Sequence, residues 1–378
     1  MFRDLEYIRK VMTYQFDHFM LTSSAKQRHP LNQPVTVILP FMSLPKSFPL
    51  RVAGGKTIQI PSVGYGTWAS GENSWAKDAV VTALKAGYRH LDCAWMYGVD
   101  EAVGEAIKES GIPREEVFFW PHFGHPDNVE LCLDKILASM QLDYVDLYLA
   151  HWPCVWKPAS REALEKAHSG HDSTPSDKAI VYLEDGKPDV DWEHSAAKLA
   201  EQVGKKGSFV PTWKAMQACA RSGKARAIGL SNFSITEIEE LLPHEDDVPI
   251  ACNQIEVHPW LPQPELVAFG QKHKIVTTCY SPFAGQMEGG VRRLEETKVV
   301  ELAKKNGMDG GQLLQSWAVQ RGTVPLGKSA TPARIKSNLD IRKLSDEDMK
   351  ALDGMAVPDG KGRTVDFTEK WGVPLFTG

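Results

Sequence analysis

The sequence predicts a closed (β/α)8 barrel, the TIM-barrel fold class, and three observations support the prediction. Eight short apolar segments have the composition of buried parallel strands. Segments with helical periodicity alternate with them. Polar and aromatic residues collect where the apolar segments end, and the sites of such barrels lie at those strand ends. We therefore predict one barrel domain at residues 52–360, preceded by an extension at 1–51 and followed by a tail at 361–378 that borders the substrate pocket.

The strand segments follow one another in a regular order. As sequence they read IQIPSVGYG, YRHLDCA, VFFWP, VDLYLAHWP, ARAIGLSN, ACNQIEV, IVTTCYSP and TVPLG. The helical segments between them include residues 75–86, 128–140, 196–221 and 264–273. The connection at 155–211 is long and polar, which is typical of a loop that covers a site.

The first 51 residues lack this alternation. Residues 9–20 have the pattern of a short amphipathic helix, and residues 35–42 that of a strand bounded by prolines. An added flap, a segment that contacts a partner and a mistaken start site all remain open for this extension.

Composition limits the class of protein. The net charge is -5, and the basic residues are scattered rather than striped, so we expect no nucleic-acid or membrane partner. Six cysteines lie far apart without a C-x-x-C pair, which is typical of free thiols in a reducing compartment. The apolar runs are too short for a membrane span. We expect a cytoplasmic monomer or weak homodimer with a small-molecule substrate.

The stretch GYRHLDCAWMYG, at residues 87–98, contains the first candidate chemistry. Asp92 and Tyr97 stand five positions apart where its strand ends. A carboxylate and a phenol at such an edge are suited to acid/base chemistry on a carbonyl. The alternative is a carboxylate that caps the next helix and a tyrosine packed at the rim.

This stretch resembles the second barrel strand of the aldo-keto reductases. Similar motifs follow in LYLAHWP, ARAIGLSNF, CNQIEVHPWL, IVTTCYSP and GKSATPARIKSN, so the resemblance covers about residues 56–356. It implies a barrel enzyme that transfers hydride between NADP(H) and a carbonyl or alcohol, with an Asp, Tyr, Lys and His tetrad. Asp92, Tyr97 and His151 fill three of these positions, and Tyr97 is the implied proton donor.

His122 stands where the resemblance places the lysine. A phenol has a pKa near ~10, so a nearby cation helps it to release a proton at neutral pH. His122 can replace the lysine as a cation or proton relay, mark an altered reaction, or be incidental in a chain without redox activity. All three interpretations remain open, because an imidazole is mostly neutral at pH 7.

The segment GKSATPARIKSN predicts a phosphate site. Thr331 and Pro332 suit the start of a helix, with Lys328 and Arg334 nearby, and a helix N-terminus with cations binds phosphate. The resemblance assigns this segment to the 2'-phosphate of NADPH. The cofactor-binding residues that it implies are Gly66, Thr67, Trp68, Asp92, Ser231, Asn232, Gln254, Tyr280, Ser281, Pro282, Lys328, Ser329, Thr331, Arg334 and Asn338.

Aromatic residues crowd the predicted mouth of the barrel. They are Trp68, Trp95, Trp120, Phe123, Trp152, Trp371 and Phe376. Although some can be structural, a pocket lined in this way favours a flat or bulky apolar substrate. We expect an aromatic or polycyclic carbonyl compound.

Four other interpretations compete with this one. Residues 322–329 match the P-loop pattern, but TVPL is itself an apolar strand. The pairs His122 with His125 and His151 with Cys154 have metal-ligand spacing, yet we predict no metal site, because His151 already has a role. A redox-neutral isomerase or cyclase, and an NADPH-binding regulatory module without turnover, would use the same pocket.

Overall fold

The computed structural model describes residues 43–68, 73–120, 125–166, 179–285 and 292–376. The helix predicted at 9–20 and the strand predicted at 35–42 lie outside these ranges. The side chains of Met96, Phe119 and Trp120 are also not described.

A parallel sheet of eight strands forms the centre of the described residues. The strands of the chain are β1 (Ser47–Arg51), β2 (Thr57–Pro61), β3 (Gly64–Gly66), β4 (His90–Asp92), β5 (Phe118–Trp120), β6 (Val145–Ala150), β7 (Ala225–Ser231), β8 (Ile250–Glu256), β9 (Val276–Tyr280) and β10 (Val324–Gly327). The sheet order is β5-β4-β3-β10-β9-β8-β7-β6, and every adjacent pair is parallel. The end strands β5 and β6 contact each other and close the sheet. The predicted barrel is confirmed.

Helices connect these strands around the outside of the barrel. They are α1 (Ala76–Ala86), α2 (Asp100–Ser110), α3 (Val129–Met140), α4 (Arg161–Lys166), α5 (Ala197–Gln202), α6 (Val210–Arg221), α7 (Ile235–Leu241), α8 (Pro264–His273), α9 (Thr297–Lys305), α10 (Gly310–Gln320), α11 (Pro332–Leu339), α12 (Asp346–Asp353) and α13 (Thr368–Trp371). α1 ends at Gly87, whose φ of 113° is readily adopted only by glycine and stops the helix one residue before the next strand segment.

An antiparallel hairpin of β1 and β2 precedes the barrel. Its Leu50 and Ile60 belong to one buried cluster with Leu147, Ala227 and Leu326, which lie on three barrel strands. The predicted strand IQIPSVGYG therefore divides into a hairpin strand and a barrel strand. Residues 47–51, which the sequence grouped with the extension, form the other half of the hairpin.

The single helix predicted at residues 196–221 is wrong, because the structure has two helices there, α5 and α6. Gly204 between them has a φ of 69°, outside the helical region. Gly207 passes so close to the Trp192 carbonyl that an added Cβ would lie 2.1 Å from its oxygen. The chain needs this irregular passage to bring α6 back against the barrel.

The long connection after β6 has some structure of its own. Antiparallel bridges join Trp156 to Val190 and Tyr182 to Pro188, so its described part is a folded-back arm. The P-loop pattern at 322–329 instead contains β10, a buried barrel strand that cannot wrap a phosphate. No helix of the described ranges is long and apolar enough to cross a membrane.

Candidate active site

Asp92 ends β4 at the carboxyl-end face of the barrel, and only 4% of it is exposed. Its Oδ1 accepts a hydrogen bond of 3.1 Å from the Gln254 amide of β8. Thr67 donates to the Asp92 backbone carbonyl through both its amide and its hydroxyl. Burial raises the pKa of the Asp92 carboxyl to about 7, although the bond from Gln254 opposes this shift.

Tyr97 lies on a short 3-10 helix, Trp95–Tyr97, directly after this strand. Gly98 ends that helix with a φ of 61°, and Asn73 donates hydrogen bonds to the carbonyls of Tyr97 and Gly98. The Tyr97 ring meets the His151 ring edge to face, with centroids 6.4 Å apart. The ends of β4 and β6 thus bring a phenol and an imidazole together.

Burial sets the protonation of both groups. It is the largest cause that raises the pKa of Tyr97 well above its usual value, followed by the negative charge of Asp92 and by Cys93 and Tyr280. None of these groups is a lysine. Burial lowers the pKa of His151 to about 4, so its imidazole is neutral near pH 7. His122 and Phe123 lie outside the described residues, so their roles stay predictions.

Asn232 links the catalytic candidate His151 to Tyr280, one of the predicted cofactor-binding residues. Its Nδ2 donates to the His151 carbonyl at 3.0 Å and to Ser231 Oγ at 3.2 Å. Its Oδ1 accepts from the Tyr280 hydroxyl at 2.7 Å. A φ of 66° holds Asn232 in the left-handed region, which asparagine tolerates better than most residues. Three hydrogen bonds to protein groups therefore fix the orientation of the Asn232 amide at the barrel mouth, next to Tyr280.

The residues of the predicted phosphate site lie between β10 and the start of α11. The Lys328 ammonium lies 4.0 Å from the centre of the Trp75 ring, and burial lowers its pKa. Ser329 is held through its carbonyl by the Tyr65 hydroxyl, 2.6 Å away, and its Oγ accepts from the amide of Thr331. A lysine and a hydroxyl beside free helix N–H groups form a donor set that fits a nucleotide phosphate.

The other predicted cofactor residues differ in position. Arg334 is exposed on α11, where it is free to approach a phosphate. Asn338 is buried on the same helix, and its Oδ1 lies where a Cβ on Gly311 would be 2.4 Å away, so it packs against α10. Gly66 passes the Leu326 carbonyl, where a Cβ would be 3.2 Å from the oxygen. Trp68 beside it is 58% exposed.

Ser281 and Pro282 directly follow Tyr280 at the end of β9. Ser281 has a φ of 48°, and its carbonyl accepts a hydrogen bond from the amide of Ala284. This tight turn places both predicted residues at the barrel mouth.

Five aromatic rings from two distant parts of the chain form what we term the aromatic cluster. Trp152 contacts Phe367, Trp371 and Phe376, with centroids 5.0 to 5.8 Å apart, and Trp371 also contacts Trp156. On its other side Trp152 stacks on the catalytic candidate His151, with a centroid distance of 5.9 Å. The cluster therefore reaches the site.

Not every predicted aromatic residue belongs to this cluster. Trp95 is buried in the core, 5.8 Å from the Lys135 ammonium of α3, and does not face the cluster. The Trp120 side chain is not described.

A cluster of His125, Asp191 and His194 joins the long connection, which contains Asp191 and His194, to the segment before α3. The Asp191 Oδ2 is 2.9 Å from His194 Nδ1 and 3.4 Å from His125 Nε2. The other nitrogen of His125 accepts a hydrogen bond from the amide of Asp127, so Nε2 carries the proton and donates to Asp191. A metal would need that nitrogen's lone pair, and the arrangement is better explained as a structural link.

Sequence reasoning missed several residues that support the site. Asn73 lies in the loop before α1, where no periodicity distinguishes it, and the helical pattern predicted from residue 75 gives no sign of the contact between Trp75 and Lys328. Phe367 and Trp156 belong to segments without regular structure in the sequence pattern, although both are aromatic residues close to predicted ones. Their aromatic character was the available signal.

Comparisons with known proteins agree with this geometry. Residues 62–357 match the model of the Aldo/keto reductase family. The chain is 42% identical over 322 residues to the aldehyde reductase YPR1 of Saccharomyces cerevisiae, covering 84% of this chain and 94% of that protein. It is 41% identical over 312 residues to a glycerol 2-dehydrogenase (NADP(+)) of the same yeast, covering 81% and 91%. The structure of the aldose reductase from Schistosoma japonicum aligns with a TM-score of 0.67 and 27% identity, covering 86% of this chain and 95% of that one.

Proposed function

This chain belongs to the aldo/keto reductase family, and on that premise we propose that it is an NADP(H)-dependent oxidoreductase acting on an aromatic or bulky apolar carbonyl compound or the matching alcohol. The observation that carries the proposal is the approach of Tyr97 to His151, 6.4 Å between ring centroids, at the carboxyl ends of β4 and β6. One similar protein is named as an NADP(+) enzyme and another as an aldehyde reductase. We found no contact among the described residues that favours the redox-neutral or regulatory alternatives.

When bound, NADPH supplies the hydride for the carbonyl carbon. Tyr97 gives its phenolic proton to the carbonyl oxygen as negative charge develops there. His151, neutral at pH 7, donates a hydrogen bond that orients the same oxygen. Ser231, Asn232 and Gln254 would hold the carboxamide of the nicotinamide, and Lys328 with the start of α11 would hold the 2'-phosphate.

In this arrangement Tyr97 is too weak an acid to release its proton readily at neutral pH. Asp92, Cys93 and Tyr280 act on it in the described part of the chain, and all three raise its pKa. A cation must come from elsewhere, and His122 stands at the lysine position in the sequence. We propose that His122 supplies it as an imidazolium or through a proton relay, which restricts turnover to conditions or substrates that favour that form.

The aromatic cluster supports the choice of substrate. Trp152 stacks on His151 and packs against Phe367 and Trp371, so aromatic surface extends from the catalytic candidates, and we propose that a flat substrate binds along it. The six cysteines are all free and buried, which supports the cytoplasm as the compartment.

Tyr97→Phe tests the proton donor. We expect the variant to lose at least about 10²-fold in turnover, because it removes only the acid, while NADPH binding measured by fluorescence titration stays within about twofold. Product from a panel of aromatic ketones and aldehydes is measured by mass spectrometry. Normal turnover in the variant would remove the assignment.

His122→Lys tests the missing cation. A lysine ammonium beside Tyr97 lowers the phenol's pKa, so reduction of generic aldehydes, followed as NADPH absorbance at 340 nm, should rise. Unchanged rates in this variant would contradict the proposed role of His122.

A further inference from the structure

We propose that Glu256 is a positioning residue that holds the C-terminal segment, residues 359–376, over the substrate side of the site. Its side chain is completely buried at the end of β8. Its Oε1 accepts from the amide of Thr364 at 2.8 Å, from the Thr364 hydroxyl and from His258 Nε2 at 3.0 Å. Its Oε2 accepts from the amide of Val365 at 3.1 Å.

Three of these four hydrogen bonds converge on Oε1 and the fourth reaches Oε2, so both oxygens of the buried carboxylate have partners. Three of the donors belong to Thr364 and Val365, so one buried side chain of the barrel accepts three hydrogen bonds from this part of the segment, while Val373 and Leu375 further along it are buried in the core. Two consecutive backbone amides aimed at one carboxylate also fix the direction in which the chain leaves. A second constraint lies next to it, because a Cβ on Gly362 would stand 2.0 Å from the Trp260 carbonyl oxygen.

The aromatic residues that the C-terminal segment contributes to the aromatic cluster follow Thr364 and Val365 directly in the chain. Phe367 comes two residues after Val365, and α13 then delivers Trp371. Both rings pack on Trp152, which stacks on His151. Directly before Thr364, the Arg363 guanidinium lies 3.6 Å from the centre of the Phe376 ring. The position of the substrate-facing rings therefore depends on the carboxylate of Glu256.

The inference rests on the proposed function only for its kinetic consequence. Loosening the segment should weaken the binding of a flat aromatic substrate that stacks on the cluster. It should leave a small aldehyde, which needs only Tyr97 and His151, almost unaffected.

The experiment compares the full-length wild type with Glu256→Gln, Thr364→Val, Thr364→Ser and Glu240→Gln. Glutamine keeps the shape of Glu256, but its NH2 group is a hydrogen-bond donor and faces N–H or O–H groups that are donors themselves. Valine removes only the Thr364 hydroxyl, and serine restores it. Glu240 is a matched control, because it also accepts hydrogen bonds from two backbone amides and a hydroxyl, those of Ala197, Phe209 and Ser208, in another part of the chain.

Hydrogen exchange by mass spectrometry is read on peptides covering residues 360–376. KM and kcat are measured for 2-naphthaldehyde and propanal with saturating NADPH. We expect Glu256→Gln to speed exchange at least tenfold and raise KM for 2-naphthaldehyde about tenfold, with KM for propanal and both kcat values within twofold. Thr364→Val should show about a third of these changes, and Thr364→Ser and Glu240→Gln should match the wild type.

Unchanged exchange at 360–376 in both Glu256→Gln and Thr364→Val would overturn the inference, as would an equal rise in KM for the two aldehydes. Thr364→Val leaves the buried carboxylate in place, so it decides the question if Glu256→Gln does not fold. A wild type that reduces neither aldehyde would refute the proposed function, and the exchange measurement alone would then decide the role of Glu256.

Discussion

Replacing Asp92 with asparagine should stabilise the protein, and the gain should depend on pH. The fold raises the pKa of this carboxyl from an ordinary 3.8 to about 7, because it is buried. A raised acid pKa means that the fold favours the protonated form, so the group's contribution to stability is complete below pH 4 and is lost as pH rises through 7. A difference of about 3 units corresponds to about 4 kcal/mol at 1.36 kcal/mol per unit.

Asparagine is neutral at every pH and keeps an oxygen that can accept the bond from Gln254. We therefore expect the free energy of unfolding of Asp92→Asn, without nucleotide, to match the wild type near pH 4 and to exceed it by up to about 4 kcal/mol at pH 8.5. Urea denaturation followed by tryptophan fluorescence at five pH values measures the difference, and effects of other groups cancel between the two proteins.

Asp146→Asn is the matched control for this experiment. Asp146 is also buried, but its carboxylate pairs with Arg114 at 2.9 Å and Arg226 at 2.7 Å. Removing its charge leaves two arginines without their partner, so this variant should lose stability, on the order of 2 kcal/mol or more, at neutral pH. If Asp92→Asn is no more stable than the wild type at pH 8.5, or if the difference is the same at all pH values, the burial argument for Asp92 is wrong.

Two further predictions concern the cofactor and the packing of the barrel. Lys328→Met should weaken NADPH binding by about 10- to 100-fold, because a charge-assisted hydrogen bond to phosphate is lost. Binding of NADH, which lacks the 2'-phosphate, should change less than about threefold. Equal losses of affinity for both nucleotides in fluorescence titrations would contradict a 2'-phosphate contact. Gly104→Ala should lower the free energy of unfolding by about 2 kcal/mol, although alanine has the better helix propensity. The added Cβ would lie 2.5 Å from the Met140 carbonyl oxygen and force α2 and α3 apart. An unchanged urea midpoint would show that the two helices can separate without loss of stability.

The barrel could be predicted from the sequence because its buried strands are recognisable as short apolar segments. A strand such as VDLYLA is apolar at nearly every position, and α8 begins and ends at the predicted residues. The split of 196–221 into two helices could not be predicted from apolar spacing, which continues across Gly204 and Gly207. The hairpin strand β1 was missed for a similar reason, because Ser47, Pro49 and Arg51 alternate with only two apolar residues.

Some residues of the candidate site could likewise be predicted from the sequence, and others could not. Asp92, Tyr97 and His151 could be predicted because each stands at the end of an apolar strand within a recognisable motif, and the structure brings them together. Asn338 matches its motif equally well, yet its side chain is packed against α10, since a motif fixes the identity of a residue and not its rotamer. The aromatic cluster depends on contacts between residues more than 200 positions apart, which spacing along the chain cannot reveal.

Strand β8 carries two residues that contact different parts of the candidate site. Gln254 and Glu256 are two residues apart, so their side chains point to the same face of the sheet. Gln254 donates a hydrogen bond to Asp92, close to the proposed proton donor Tyr97, while Glu256 accepts hydrogen bonds from the segment that carries Phe367 and Trp371. Because both residues extend from one hydrogen-bonded strand, a shift of β8 would disturb the hydrogen bond to Asp92 and the attachment of the C-terminal segment at the same time. A variant that disturbs only Glu256 should therefore separate substrate fit from catalysis, whereas one that disturbs the strand core should impair both.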